Sequence, residues 1–196
     1  MPSNNFIIFL DLECTGTGGE GNEPDPDAYI LEIGLVMTDH SPYLNEVDRK
    51  NIILPIWPHE VDALLPVVLE MHTKNSLLTD CKTLAVGLLP SERPRILREI
   101  DVYLAGWMKQ FSKKSHIKLA GSGVPHFDRK FIKRDLPFFN ATLTHYALDI
   151  GSTRRQLELA GVEIPTKFAY KSHRAVEDAA FHAQEMRDFL KWAKSK

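Results

Sequence analysis

The fold of this chain is decided by the stretch Phe6-Ile7-Ile8-Phe9-Leu10-Asp11-Leu12-Glu13. The apolar run at its start predicts a strand that is buried on both faces, at the centre of a sheet. Asp11 and Glu13 end the strand and point to the same face, because side chains alternate along a strand. Two like charges in this place repel each other unless a cation lies between them, so the pair is a candidate metal site. Alternatively, both carboxylates lie in water past the strand.

The segments after the first strand predict an α/β fold. A loop rich in glycine and proline, at residues 15–28, leads to a second strand at 29–38, and without a helix between them the two strands should pair antiparallel. The other predicted elements are a strand at 52–54, short helices within 59–89, a helix from Ser91, a strand at 117–121, a helix at 127–134, a strand at 146–150, a helix at 152–160 with Ser152 as N-cap and Gly161 after its end, and a helix at 174–193. This order predicts a mixed sheet, an antiparallel meander followed by parallel strands, with helices on both faces.

Composition indicates one globular domain, residues 1–196. The chain has 196 residues, of which 43% are hydrophobic and 26% charged, and it holds no apolar run of about twenty residues such as a membrane span requires. Its two cysteines, Cys14 and Cys81, fit a reducing compartment, so we expect a soluble, cytoplasmic protein that does not bind membranes. The net charge of −2 argues only weakly against nucleic acid as a partner. If some of the acids bind metal ions, those ions neutralise their charge and the loaded protein is less negative.

Two further acids lie at positions that suit the same site. Asp128 follows the predicted strand at 117–121 through a turn, and Asp178 lies at the start of the last helix. Strand ends and helix starts are where α/β folds place their sites. Four oxygen ligands without a zinc-type set of cysteines and histidines favour Mg²⁺ or Mn²⁺. Two such ions can activate a water molecule and stabilise the leaving oxygen of a phosphoryl displacement.

His173 lies five residues before Asp178 and just before the last helix. An imidazole is mostly neutral at cellular pH, so His173 can take the proton of the attacking water as a general base. A lone histidine at a helix start is more often a cap or a surface residue. Its spacing from Asp178 favours the catalytic interpretation.

Three runs of this chain resemble, in the same order, the exonuclease motifs of the DEDDh superfamily. They are Phe9-Leu10-Asp11-Leu12-Glu13-Cys14-Thr15-Gly16, Ala120-Gly121-Ser122-Gly123-Val124-Pro125-His126-Phe127-Asp128-Arg129-Lys130-Phe131 and His173-Arg174-Ala175-Val176-Glu177-Asp178. Within that superfamily, residues 29–33, 71–77 and 148–153 are similar to the oligoribonuclease family. The resemblance covers most of the chain, from about residue 6 to 190.

The resemblance implies a ribonuclease-H-like fold and a 3′→5′ exonuclease that releases nucleoside 5′-monophosphates from short RNA or from RNA 3′ ends. It implies two Mg²⁺ or Mn²⁺ ions and the possibility of a homodimer. The implied catalytic residues are Asp11, Glu13, Asp128 and Asp178 as metal ligands and His173 as base. The implied substrate contacts are Thr15 with the backbone beside it at Cys14, and His72 and Phe127 flanking the base or sugar of the terminal nucleotide.

Other interpretations of these residues stay open at this point. The same chemistry can act on single-stranded DNA, as in proofreading or repair, and the fold can serve a non-catalytic nucleic-acid-binding module. Gly16-Thr17-Gly18-Gly19-Glu20-Gly21 fits a dinucleotide-binding fingerprint by its letters, but the prolines that follow cannot form the helix that this motif needs.

Several residues near the motifs have plainer interpretations. Cys14 is better interpreted as small apolar filler than as a nucleophile, and Glu32 as a structural hydrogen-bonding group rather than a fifth ligand. Basic residues bracket the acids and together could hold substrate phosphates. They are Arg129, Lys130, Lys133, Arg134, Lys167, Lys171 and Arg174.

Overall fold

The computed structural model of the protein describes residues 6–16, 23–111, 117–162 and 172–195. Within these ranges one sheet of five strands has the order β3-β2-β1-β4-β5. The strands are β1 Phe6–Cys14, β2 Ile30–Asp39, β3 Glu46–Ile53, β4 Ile117–Gly121 and β5 Leu143–Asp149. β1 pairs antiparallel with β2 and parallel with β4, β2 pairs antiparallel with β3, and β4 pairs parallel with β5. The predicted mixed sheet with a central first strand is therefore confirmed.

Helices cover both faces of this sheet, as predicted. They are α1 Pro58–Asp62, α2 Pro66–Lys74, α3 Leu77–Leu84, α4 Arg93–Phe111, α5 Asp128–Asp135, α6 Pro137–Asn140, α7 Ile150–Leu159 and α8 Ala175–Lys194. On one face Ile8, Leu10 and Leu12 form a core with side chains of α4, α5 and α6. On the other face Ile7 and Phe9 form a core with side chains of α7 and α8.

The alternation of side chains along β1 determines which helix the acids face. Asp11 and Glu13 share the face of Ile7 and Phe9, and that face packs against α8. The two carboxylates therefore point toward the helix that carries Asp178.

A glycine on β2 lets α8 lie close to these acids. Gly34 pairs with Asp11 in the sheet register, and a Cβ atom on Gly34 would lie 2.0 Å from the carbonyl carbon of Ala175. Because no Cβ atom could occupy that space, only glycine permits the first turn of α8 to pack directly against β2.

The structure corrects three sequence predictions. β3 begins at Glu46, well before the predicted start at residue 52, because this strand lies at the sheet edge and its polar residues stay partly exposed. β5 begins at Leu143, before the predicted start at residue 146. The N-cap of α7 is Asp149, whose side chain accepts a hydrogen bond from the Ser152 N–H, so the predicted cap at Ser152 was wrong. The helix follows β5 without a loop, which leaves the last strand residue as the cap.

Some predictions fall on parts of the chain that the structure does not describe. The central glycines of the loop 15–28, at residues 18, 19 and 21, lie outside the described residues, as do Lys167 and Lys171. Among the helices that are described, none has both the length and the apolar character of a membrane-crossing segment.

Candidate active site

A pocket of about 210 Å³ brings the five predicted catalytic residues together. Its lining consists of Asp11, Leu12, Glu13, Ser122, Phe127, Asp128, His173 and Asp178. These residues come from the end of β1, the turn after β4, the start of α5 and the start of α8. Three stretches that are distant in sequence therefore converge at the carboxyl ends of β1 and β4.

The acids of this pocket are largely buried, with exposed fractions of 9% for Asp11, 6% for Glu13, 4% for Asp128 and 3% for Asp178. This excludes the alternative in which Asp11 and Glu13 lie in water past the strand. Ligand atoms of Glu13, His173 and Asp178 all lie within 4.8 Å of one another. Buried carboxylates so close together repel each other unless a cation neutralises them, and carboxylate oxygens are the ligands that hard divalent cations prefer. The donor set therefore fits a divalent metal ion.

Asp128 is tied to the central strand by a hydrogen bond. Its Oδ1 accepts from the N–H of Leu12 at 2.9 Å, which connects the start of α5 to β1 between Asp11 and Glu13. Burial and the neighbouring charge of Asp11 hold the pKa of the Asp128 carboxyl well above its usual range. The site thus carries an electrostatic cost that a bound cation would relieve.

The backbone of His173 adopts a left-handed conformation, with φ 51°, which non-glycine residues rarely adopt. The side-chain amide of Asn75, in the turn between α2 and α3, donates to the carbonyl oxygen of His173. Ser172, just before it, donates to Asp178 Oδ1 through its N–H at 3.3 Å and its hydroxyl at 3.2 Å. These contacts hold the segment before α8 against both the α2–α3 turn and Asp178.

Glu32 lies on β2 opposite Glu13 and is completely buried. It accepts hydrogen bonds from the guanidinium of Arg174, from the N–H of Ala175 and from the side chain of Asn51. Its oxygens are therefore engaged in fixing the start of α8. The prediction that Glu32 is a structural group is confirmed.

The predicted substrate residues fall into two groups. Phe127 lines the acid pocket, whereas Thr15 lines a neighbouring pocket of about 410 Å³ beside Gly16 and Leu65. Thr15 is fixed there, since its N–H donates to the Tyr29 carbonyl at 2.9 Å and its hydroxyl accepts from the Tyr29 N–H at 2.8 Å.

The other two predicted contacts are buried. The exposed fraction of His72 is 0%, and its Nε2 lies 3.8 Å from Oε2 of Glu13, so the structure places it behind the pocket wall. Cys14 is buried as well, and burial together with the nearby Asp128 raises the pKa of its thiol well above the usual value. This agrees with Cys14 as filler rather than nucleophile.

A larger pocket of about 640 Å³ lies elsewhere, beside α4 and α6. Arg93 lines this pocket, and its guanidinium lies over the rings of Tyr29 and Trp57 and forms an ion pair with Glu60 at 2.6 Å. Arg93 is therefore already paired and stacked, whereas the smaller acid pocket holds the predicted catalytic residues.

Comparison with known proteins identifies the family of the chain. No family model matches the chain. An oligoribonuclease from Azoarcus sp. (strain BH72) is 30% identical over 154 residues, which cover 78% of this chain and 74% of the relative. The chain belongs to the oligoribonuclease family. An oligoribonuclease from Mycobacterium sp. (strain KMS) is 28% identical over 149 residues, and this match spans 76% of the oligoribonuclease-family chain but only 61% of the Mycobacterium protein's length.

Solved structures share the fold of this oligoribonuclease-family chain. The nuclease domain of 3′hExo, a DEDDh family member bound to rAMP, has a TM-score of 0.56 at 14% identity, over 97% of this chain and 94% of that domain. E. coli Exonuclease I in complex with a dT13 oligonucleotide has a TM-score of 0.53 at 14% identity, over 95% of this chain and 41% of that protein. The predicted ribonuclease-H-like fold is confirmed.

Sequence reasoning missed three residues that contact or shape the candidate site of this oligoribonuclease-family chain. Gly34 carries no sequence signal that distinguishes it from other glycines. Asn75 lies in the segment 71–77 that is similar to oligoribonucleases, but its residue type alone does not indicate a contact with His173. His182 is completely buried, and its Nε2 lies 3.8 Å from Oδ1 of Asp11. Its spacing of four residues from Asp178 would have placed both on one helix face, which is a signal that the sequence offered.

Proposed function

We propose that this chain is a metal-dependent 3′→5′ exonuclease that hydrolyses short RNA, or RNA 3′ ends, to nucleoside 5′-monophosphates. The convergence of four buried acids and His173 in one pocket supports this proposal. Membership of the oligoribonuclease family supports the same reaction and RNA as the substrate class.

Asp11, Glu13, Asp128 and Asp178 would hold two Mg²⁺ or Mn²⁺ ions. When bound, such ions activate a water molecule and stabilise the leaving oxygen of an in-line displacement at phosphorus. A ring nitrogen of His173 accepts the proton of the attacking water, since the imidazole lies beside Glu13 and Asp178. Asn75 holds the backbone of His173 and so limits where the ring can lie.

The pocket beside Thr15 would receive the 3′-terminal nucleotide. Its volume of about 410 Å³ is in the range of small-ligand sites, and its lining residue Thr15 follows Glu13 of the acid pocket by two positions. Phe127 lines the acid pocket and offers a ring on which a base or sugar can pack. The complete burial of His72 favours a role behind Glu13 over direct contact with substrate.

Labelled RNA tests this proposal. Incubation with 5′-labelled RNA and Mg²⁺ should give a ladder that shortens from the 3′ end, and EDTA should stop it. Asp11→Ala and Glu13→Gln should abolish the ladder. The control Glu99→Gln, whose side chain is 63% exposed on α4, should leave it unchanged. A fully active Asp11→Ala enzyme would refute the site.

Single-stranded DNA is the second candidate substrate, because the same fold holds dT13 in E. coli Exonuclease I. Matched RNA and DNA oligonucleotides of one sequence separate the two candidates. RNA should be cleaved with the higher kcat/KM if the oligoribonuclease assignment is right. A preference for DNA would favour the proofreading or repair type of exonuclease.

A further inference from the structure

His182 lies behind the metal-site acids, on the side away from solvent. It follows Asp178 by four residues on α8 and is completely buried. Its Nε2 lies 3.8 Å from Oδ1 of Asp11, and its Nδ1 lies 3.6 Å from Oε2 of Glu185. The imidazole thus lies between a proposed metal ligand and a second carboxylate.

The second carboxylate is itself fixed. Glu185 is 2% exposed, and its two oxygens accept from Nε and Nη2 of Arg154 on α7 at 2.5 and 2.6 Å. A bidentate, charge-assisted pair of this kind has a defined geometry. Arg154 and Glu185 thus form a fixed pair beside Nδ1 of His182, and Nε2 of the same ring faces Asp11.

This arrangement has no use in binding substrate, since His182 and Glu185 do not line the acid pocket. Burying these polar groups between α7 and α8 also costs desolvation free energy. Apolar residues of similar size would fill the same space without that cost. A carboxylate ligand whose second oxygen is held by a partner keeps its orientation, and loss of such partners typically lowers metal affinity.

We propose that His182 is a positioning residue that orients the carboxylate of Asp11 for a divalent cation, with Glu185 and Arg154 holding the imidazole in place. This inference rests on the proposed function, which supplies the cation. It concerns a residue that does not touch substrate and that lies outside the three exonuclease motifs.

Two substitutions at His182 separate this role from simple packing. Glutamine places its side-chain amide near the position of Nε2 and can still reach Asp11. Asparagine places its amide near the position of Nδ1, where it reaches Glu185 but not Asp11. Positioning of Asp11 therefore requires that His182→Gln retain most of the Mn²⁺ affinity and that His182→Asn lose about 10–100-fold.

The experiment measures Mn²⁺ binding to the full chain by titration calorimetry or by EPR of the free ion, together with kcat and KM on labelled RNA. Thermal melting in EDTA confirms that each variant is folded. The same two substitutions at His40, an exposed histidine just after the end of β2, serve as controls and should change neither affinity nor kcat. For His182→Asn, kcat at a fixed subsaturating Mn²⁺ concentration should fall while KM for RNA stays unchanged.

Other outcomes overturn the inference. Unchanged Mn²⁺ affinity in both His182 variants would do so, and so would a larger loss in His182→Gln, because His182 would then act through Glu185 alone. Equal losses in both variants would overturn it too, because the amide that His182→Gln keeps near Asp11 would then not preserve the Mn²⁺ affinity. A wild-type chain that binds no Mn²⁺ would overturn the proposed function and this inference with it, whereas wild-type binding with unaffected variants overturns the inference alone.

Discussion

The guanidinium of Arg174 donates to both carboxylate oxygens of Glu32, at 2.9 to 3.1 Å, and Glu32 has no exposed surface. Arg174 directly follows the proposed base, and Glu32 pairs with Glu13 in the sheet register. Arg174 also reaches Asp80 on α3 at 3.0 Å. One side chain thus joins the start of α8, the central part of the sheet and α3 beside the acid pocket.

Loss of Arg174 should be among the most destabilising single changes at this site. Arg174→Met leaves the buried carboxylate of Glu32 without its charged partner, and breaking a buried pair in this way costs about 3–5 kcal/mol. Urea denaturation at neutral pH measures the change in the free energy of unfolding. As a control, Arg49→Met removes a pair with Glu46 in which the Arg49 side chain is 52% exposed, so it should cost less than about 1 kcal/mol. Similar losses in the two variants would contradict the structural role of Arg174.

Gly34→Ala should displace α8 and weaken catalysis. The new methyl group would lie 2.0 Å from the Ala175 backbone, so the first turn of α8 must move away from β2 and carry Asp178 with it. Overpacking of this kind costs about 1–3 kcal/mol, and the exonuclease rate should fall as well. Gly106→Ala is the control, because nothing lies within 4 Å of its Cβ position in α4. That change should stabilise the helix by about 1 kcal/mol and leave the rate unchanged. Equal activity in both variants would show that the close approach at Gly34 is unimportant.

Asp128→Asn should stabilise the metal-free protein and abolish its response to metal. The substitution removes a buried negative charge next to Asp11, while the amide oxygen can still accept from the Leu12 N–H. In EDTA the variant should therefore melt at a higher temperature than wild type. Mn²⁺ at about one hundred times its Kd should stabilise the wild type by about 2.7 kcal/mol and leave the variant unaffected.

Asp101→Asn provides the contrast for this measurement. Asp101 is 2% exposed, but its two oxygens accept from the N–H groups of Phe138 and Phe139. An amide there turns an NH₂ group toward one of the two donors, so this variant should melt lower in EDTA and should keep the response to Mn²⁺. An Asp128→Asn protein that behaves like Asp101→Asn would contradict electrostatic repulsion at the proposed metal site.

The convergence of the acids was predictable because it depends on local patterns. The apolar run before Asp11 identifies a central strand, and the alternation along that strand puts Glu13 beside Asp11. The spacing from His173 to Asp178 places both at one helix start. Each of these inferences needs only the periodicity of one element and the rule that α/β sites lie at strand ends.

The rest of the site depends on contacts between elements, which periodicity does not encode. Gly34 matters because of where α8 crosses β2, and Asn75 because a turn 98 residues away meets the carbonyl of His173. The polar start of β3 was missed since an edge strand with two partly exposed faces shows no apolar alternation. The N-cap of α7 was misplaced because β5 continues to the helix without a loop.

Asp149 should contribute to stability as the N-cap of α7, and its contribution should depend on pH. Burial raises the pKa of Asp149, but hydrogen bonds from the Ser152 hydroxyl and from backbone N–H groups, including that of Gly123, outweigh it, so the pKa lies below its usual value. A depressed pKa means that the stabilisation is present above the unfolded pKa of about 3.9 and is lost as the pH falls through the folded pKa. Asp149→Ala should therefore cost about 1–2 kcal/mol at neutral pH and progressively less below about pH 4.

Urea denaturation of wild type and variant across that pH range measures the difference. Ser152→Ala is the control that separates the two candidate caps, because it removes a hydroxyl at 2.7 Å from Asp149 but keeps the backbone N–H that the cap accepts. Its cost should be smaller than that of Asp149→Ala. If Ser152→Ala cost more, or if the cost of Asp149→Ala did not change with pH, Asp149 would not act as a charged cap. The N–H of Gly123, which donates to Asp149 Oδ1 at 3.1 Å, would then contribute little to holding the turn after β4 against the start of α7.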